Sequence, residues 1–148
     1  EMCIRDSDET GEIALCILSA INVGKIRDLS DLEVLCDLAV RSLDELIDFQ
    51  QYPVRAAELA TKARRSLGIG YIGLAHYLAK QGVSYDDQEA WNLVHDLSEA
   101  FQYNLIKSTV NLAKEKGACE FSSMTNMDRA YFQLIHTKKM LMILFPMI

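Results

Sequence analysis

GEIALCILSAINVG, residues 11–24, is short, apolar and closed by glycine at each end. From Ile13 to Ile21 it is uncharged and partly β-branched, and only Ser19 interrupts its apolar character. A run of this length, uncut by charge, predicts a strand buried on both faces, as in a parallel sheet; a buried helical turn is the competing reading. Gly24 permits a turn directly afterwards. Cys16 falls in the middle of the run, where periodicity alone makes it a buried strand cysteine.

Around this strand the chain reads as helices. Ser30 and Glu33 have the spacing of a capping box, and Leu29 and Val34 that of a hydrophobic staple. Leu32, Leu35, Cys36, Ala39, Val40, Leu43, Leu46 and Ile47 then recur on one helical face, with Asp31, Glu33, Asp37, Arg41, Asp44, Glu45 and Asp48 turned mostly to solvent. Cys36, inside the apolar stripe, reads as a packed small hydrophobe. Tyr52-Pro53 ends this helix, and Pro53 is placed to start the next, which carries Ala56, Ala57, Ala60 and Ala63 to about Arg65.

The run RRSLGIGYIG, residues 64–73, follows. Residues 69–72 predict a second short buried strand. Gly68, Gly70 and Gly73 fit G-x-G-x-x-G, but a helix rather than a strand precedes them, so strand-to-helix packing is preferred to a phosphate loop. Arg64 and Arg65 have the chemistry to bind phosphate, and ion pairs at a helix end are the plainer role. A helix then ends at Gly82, a glycine cap. Asp86 and Glu89 have capping-box spacing, and a long helix runs to Lys116. Leu93, Leu97, Ala100, Phe101, Leu105, Ser108 and Leu112 trace its core face, with Trp91 as a core anchor. His76 and His95 have no Asp or Cys at ligand spacing and read as structural or exposed.

Composition narrows the functional classes. The 148 residues suffice for one domain with a real core. A net charge of −6 argues against a nucleic-acid surface, which would be basic. The longest apolar run, residues 140–148, is nine residues, whereas a membrane-spanning helix needs roughly 20. No secretory leader is recognisable. Cys3, Cys16, Cys36 and Cys119 form no CxxC pair and no zinc pattern with the three histidines. The expectation is a cytoplasmic protein with mostly free thiols, no membrane contact and no nucleic-acid partner.

Three separated blocks, GEIALCILSAINVG, RRSLGIGYIGLAHYLAKQG and NLAKEKGAC, resemble the large (alpha) subunit of class I ribonucleoside-diphosphate reductase, nearest the bacterial aerobic type. The resemblance implies an α/β fold: a predominantly helical fragment of a ten-stranded α/β barrel, with short buried strands near 13–18 and 68–72. It divides the chain into a non-family leader at 1–7, which resembles translated sequencing adapter, a reductase segment at 8–123, and a non-native tail at 124–148. Back-translated with suitable codons and read one base out of frame, residues 125–148 yield a run similar to the family's continuation.

The same resemblance implies a role for Cys16 as one member of a redox-active pair, its partner lying outside the chain. A third cysteine, as a transient thiyl radical, abstracts hydrogen from the ribose of a ribonucleoside diphosphate, and the pair supplies two electrons as the 2′-hydroxyl leaves. Residues 1–7 lack the N-x-C-x-E pattern of the radical cysteine, so Cys3 is not given that role. The implied partners are a small radical-generating metal subunit, thioredoxin or glutaredoxin, and a second large subunit, with ATP and deoxynucleotides as effectors. The segment itself is expected to bind no cofactor and to be inactive alone. The alternative from another class is a non-catalytic helical interaction domain, favoured by the acidic surface and the long helix.

Overall fold

A computed structural model of the chain describes residues 12–124. The leader expected at 1–7, Cys3, and the expected tail from residue 125 lie outside the described residues. Within them the order is β1 (Ile17–Asn22), a 3-10 turn (Val23–Lys25), α1 (Asp31–Phe49), α2 (Arg55–Arg64), β2 (Leu67–Ile72), α3 (Leu74–Lys80), α4 (Gln88–Lys116) and a 3-10 turn (Ser122–Met124).

β1 and β2 pair in parallel, from Ile17 opposite Leu67 to Asn22 opposite Ile72. Parallel strands need a long crossover, here supplied by α1 and α2. The strand expected near 13–18 therefore begins later, at Ile17. A strand is defined by its partner, and β2 starts only after the left-handed turn at Arg65 (φ 48°, ψ 46°). Ile17 N donates to Ser66 O at 3.2 Å as the ladder opens. Residues 13–16 precede the ladder.

Nor is either strand buried on both faces. Alternate residues point to opposite sides. Ile21, Ile69 and Tyr71 face the helices, whereas Leu18, 71% exposed, Ala20, Gly70 and Ile72 form an open face. On the covered side the core gathers Ile21, Val23, Ile26, Leu32, Cys36, Tyr77, Leu78, Ala90, Leu97 and Phe101. Tyr71 meets Phe101 edge to face at 5.4 Å, a favourable arrangement of ring quadrupoles.

α1 buries Leu32, Cys36, Val40, Leu43 and Ile47 of the expected helical stripe, with Leu35 and Ala39 partly buried, whereas Leu46 is exposed. Its start differs from expectation. Ser30 is already in the right-handed helical region (φ −69°, ψ −26°), so its hydroxyl cannot reach forward to cap the first turn. Ser30 N donates to Asp28 Oδ1 at 2.8 Å, and the Ser30 hydroxyl bonds the same oxygen. Glu33 pairs with Lys107 of α4 at 2.5 Å. Val34 is exposed while Leu29 packs on the core, so the expected staple does not form. Further along, Arg41 holds Glu115 through two bonds of 2.7 and 2.8 Å, a second tie between α1 and α4.

The remaining helices are set by their ends. α2 begins at Arg55 and not at Pro53, because Val54 is still extended (φ −135°, ψ 140°). α3 closes as a Schellman motif: Val83 N donates to Leu78 O and Gly82 N to Ala79 O, with Gly82 at φ 72°. At α4 the cap is Asp87, and no capping box forms from Asp86; the Asp87 carboxylate accepts from Ser84 N at 2.9 Å. Trp91 is 61% exposed, correcting the expectation of a core anchor, because Ala90 occupies the inward position beside it. The 29 residues of α4 span roughly 44 Å. Among the described residues no helix is long and apolar enough to cross a membrane.

Candidate functional site

Cys16 lies one residue before β1, in a stretch without regular structure, and its side chain is exposed. The stretch is nevertheless fastened on both sides. Ile13 N donates to Ala56 O of α2 at 3.2 Å, and Ile17 N to Ser66 O, also at 3.2 Å. Glu12 Oε2 pairs with Arg64 Nη2, at the end of α2, at 2.6 Å. The thiol thus sits on a short tether between two anchors on the α2–β2 unit, at the entrance of the parallel ladder.

Arg64 is the hub of that attachment. Its guanidinium lies 4.7 Å over the Phe121 ring. Its carbonyl accepts from the Cys119 thiol at 3.5 Å. Phe121 N donates to Ala63 O at 3.3 Å. The segment after α4 therefore closes over the end of α2, and Arg64 joins it to the segment that carries Cys16.

Arg65 faces the other way. Its Nε donates to Asp44 Oδ1 at 2.6 Å and its Nη2 to Asp44 O at 2.8 Å. Nη1 and Nη2 hold the two oxygens of Asp48 at 3.1 and 2.8 Å. Lys116 Nζ adds a third contact to Asp44 at 3.1 Å and also bonds Glu45. Asp44 is buried, contrary to the expectation that it faces solvent. Burial alone would raise its pKa, but the bonds from Arg65 and Lys116 outweigh this and hold the carboxyl below its ordinary range. A signal was there: Asp44 follows Val40 by four and precedes Ile47 by three, so it lies on the apolar stripe.

The other cysteines differ from Cys16. Cys36 is wholly buried, 4.0 Å from Phe101 O, and burial pushes its thiol up to about 11. Cys119 is half-buried and engaged with Arg64 O. His76 and His95 are exposed. Among the described residues no group of three or more His, Cys, Asp and Glu side chains could hold a metal ion.

Of the three spaced glycines, Gly68 and Gly73 are set by close contacts with Leu18 and Asn22, whereas Gly70 meets open space. Gly68 and Gly70 are laddered within β2. Gly73, at φ 80°, makes the turn into α3, and a Cβ there would collide with the Asn22 amide oxygen. Asn22 Oδ1 itself accepts from Gly24 N at 3.1 Å, so both strands end on one shared knot.

Comparison with known proteins adds the family. The ribonucleotide reductase barrel domain matches residues 1–140. The chain is 56% identical over 133 residues to ribonucleoside-diphosphate reductase subunit alpha of Haemophilus influenzae, covering 90% of this chain and 18% of that protein. It is 51% identical over 132 residues to the same subunit of Buchnera aphidicola from Schizaphis graminum, covering 89% and 17%. Against ribonucleoside-diphosphate reductase 1 subunit alpha of Escherichia coli K12 the identity is 50% over 93 residues, covering 63% and 12%. The chain thus spans less than a fifth of the length of these curated relatives.

Proposed function

We propose, since this chain belongs to the class I large-subunit (alpha) family of ribonucleoside-diphosphate reductases, that it supplies one redox thiol, Cys16, to the reduction of ribonucleoside diphosphates. The reaction balances through two thiols. Together they give two electrons and two hydrogens. One hydrogen leaves with the 2′-hydroxyl as water, the other ends on the 2′ carbon, and the two sulfurs join as a disulfide. A thiyl radical on a further cysteine starts and ends the cycle by borrowing a ribose hydrogen.

The observation that carries the assignment is the contrast among the three described cysteines. A disulfide-forming thiol must be reachable and able to ionise, and its backbone must be anchored so that the sulfur can come within disulfide reach of its partner. Cys16 is exposed and tethered on both sides. Cys36 is sealed in the core with its thiol pushed up, and Cys119 is occupied by a backbone carbonyl. Among the described residues β1 and β2 form a two-stranded sheet, and in the full-length subunit further strands of a ten-stranded barrel would pair at its edges. The parent enzyme is proposed to act as a large-subunit dimer with a radical-generating subunit, and to be re-reduced by thioredoxin or glutaredoxin.

The test uses a full-length large subunit containing this segment. Cys16→Ser keeps nearly the same volume but cannot form a disulfide. It is expected to abolish thioredoxin-dependent multiple turnover, whereas Cys36→Ala sustains it. Normal turnover by the Cys16→Ser enzyme would refute the assignment.

A further inference from the structure

We propose that Arg64 and Glu12 form a clamp that positions Cys16, making Arg64 a positioning residue for the redox thiol. The inference rests on the redox reading of Cys16 above.

Among the described residues, the tether from Glu12 to Ile17 is attached through its backbone at Ala56 and Ser66 and through the Glu12–Arg64 pair at 2.6 Å. The backbone bonds fix the ends of the tether but leave Ala14, Leu15 and Cys16 without regular structure between them. Residues 14–16 can still shift between those anchors, and the charged pair, one residue before Ile13, reinforces the upstream anchor. The pair is well placed to do so. The guanidinium is held against the Phe121 ring at 4.7 Å, and the residue's own carbonyl is held by the Cys119 thiol at 3.5 Å. The Arg64 side chain as a whole is 36% exposed, so what holds the guanidinium is the Phe121 ring on one side and the Glu12 carboxylate on the other. An arginine immobilised in this way lends its rigidity to whatever it grips, and here it grips the segment carrying Cys16. Arg65 cannot substitute, because its donors are turned to Asp44 and Asp48 on α1.

Position matters for a thiol that must meet a partner. Disulfide geometry tolerates little displacement, and a misplacement of about 1 Å can cost two orders of magnitude in rate. A shifting tether would lower the fraction of time in which Cys16 faces its partner, without altering substrate binding elsewhere.

The experiment compares Glu12→Gln, Arg64→Ala and the double variant in a full-length large subunit containing this segment. One readout is the rate at which a maleimide alkylates Cys16, followed by mass spectrometry, with the buried Cys36 as an internal reporter of the fold. The other is thioredoxin-coupled turnover. Each single variant is expected to change the Cys16 alkylation rate by about threefold or more and to lower kcat by about tenfold. KM for the nucleoside diphosphate is expected to stay within about twofold, since substrate contacts are untouched. Cys36 stays unreactive. Both residues act through one contact, so the double variant is expected to be no worse than the more severe single one. Unchanged alkylation and kcat in both single variants would overturn the proposal, as would release of Cys36 together with Cys16, which would show general loosening. Full turnover in Cys16→Ser would refute the redox role alone, since the alkylation readout does not depend on it.

Discussion

Replacing Arg65 by alanine removes the group that joins β2 to α1. In the folded chain Arg65 makes two bonds to Asp44 and two to Asp48. The outer half is weak: the Asp48 side chain is 54% exposed, and a pair of that kind contributes about 0.5 kcal/mol. The inner half dominates. The Asp44 side chain is 8% exposed, and truncation leaves its carboxylate with Lys116 alone. Depriving a buried carboxylate of a charged donor costs about 1.5–3 kcal/mol, less what Lys116 regains by moving closer. The expected loss is about 2–3 kcal/mol, or a fall in Tm of about 5–10 °C for a chain of this size. Backbone strain provides an internal control. Arg65 sits at φ 48°, so Ala keeps the left-handed penalty while Gly relieves it. Arg65→Gly should therefore be about 1 kcal/mol less damaging than Arg65→Ala, although both lose the same side chain. Urea unfolding of the two variants and the parent chain, followed by far-ultraviolet circular dichroism, measures both differences. Arg65→Ala within about 0.5 kcal/mol of the parent would refute the view that this network is buried and structural.

Three further outcomes are expected. The Asp44 and Asp48 carboxyls are both held below their ordinary range, Asp44 against its burial through Arg65 and Lys116, Asp48 chiefly through Arg65. The unfolded chain therefore binds their protons first, so their stabilisation is complete above about pH 4 and is lost as the pH falls below it; Asp44→Asn should flatten that acid limb in a pH series of unfolding midpoints. Gly73→Ala should destabilise by about 1–3 kcal/mol, because it combines positive φ with a collision at Asn22, while Gly70→Ala, which meets open space, should be far milder; thermal melts of the pair check this. At pH 8 a maleimide should modify Cys16 and spare Cys36, whose thiol is buried and pushed up to about 11, and Cys36→Ala should cost about 1 kcal/mol in packing; equal labelling of both thiols in the folded chain would contradict the burial of Cys36.

Much of the fold was legible because its signals are local. The stripe of α1, the glycine stop of α3 and the length of α4 follow from helical periodicity and from residues whose backbone preferences act within a few positions. The two short apolar runs were recognisable as strands, although the first begins later than expected and neither is buried on both faces. At the site, the block around Cys16 was legible by resemblance, and Cys36 by its place in the stripe.

What only the tertiary structure decided involves residues far apart in the chain. β1 starts at Ile17 because Leu67 starts there, and a strand's limits belong to the pair. Ser30 lost its capping role to a turn at Asp28, and Trp91 faces outward because packing favoured Ala90. Asp44 could be buried because Arg65, 21 residues away, and Lys116, 72 residues away, arrive to neutralise it. A charge is tolerable in a core only once its partners are in place. The sequence alone determined which segments are helices, which are strands and which thiol stands in the family block; the meeting of Glu12 with Arg64, and of Arg64 with Phe121, came from folding, since ion pairs and ring contacts depend on distances that no local pattern encodes.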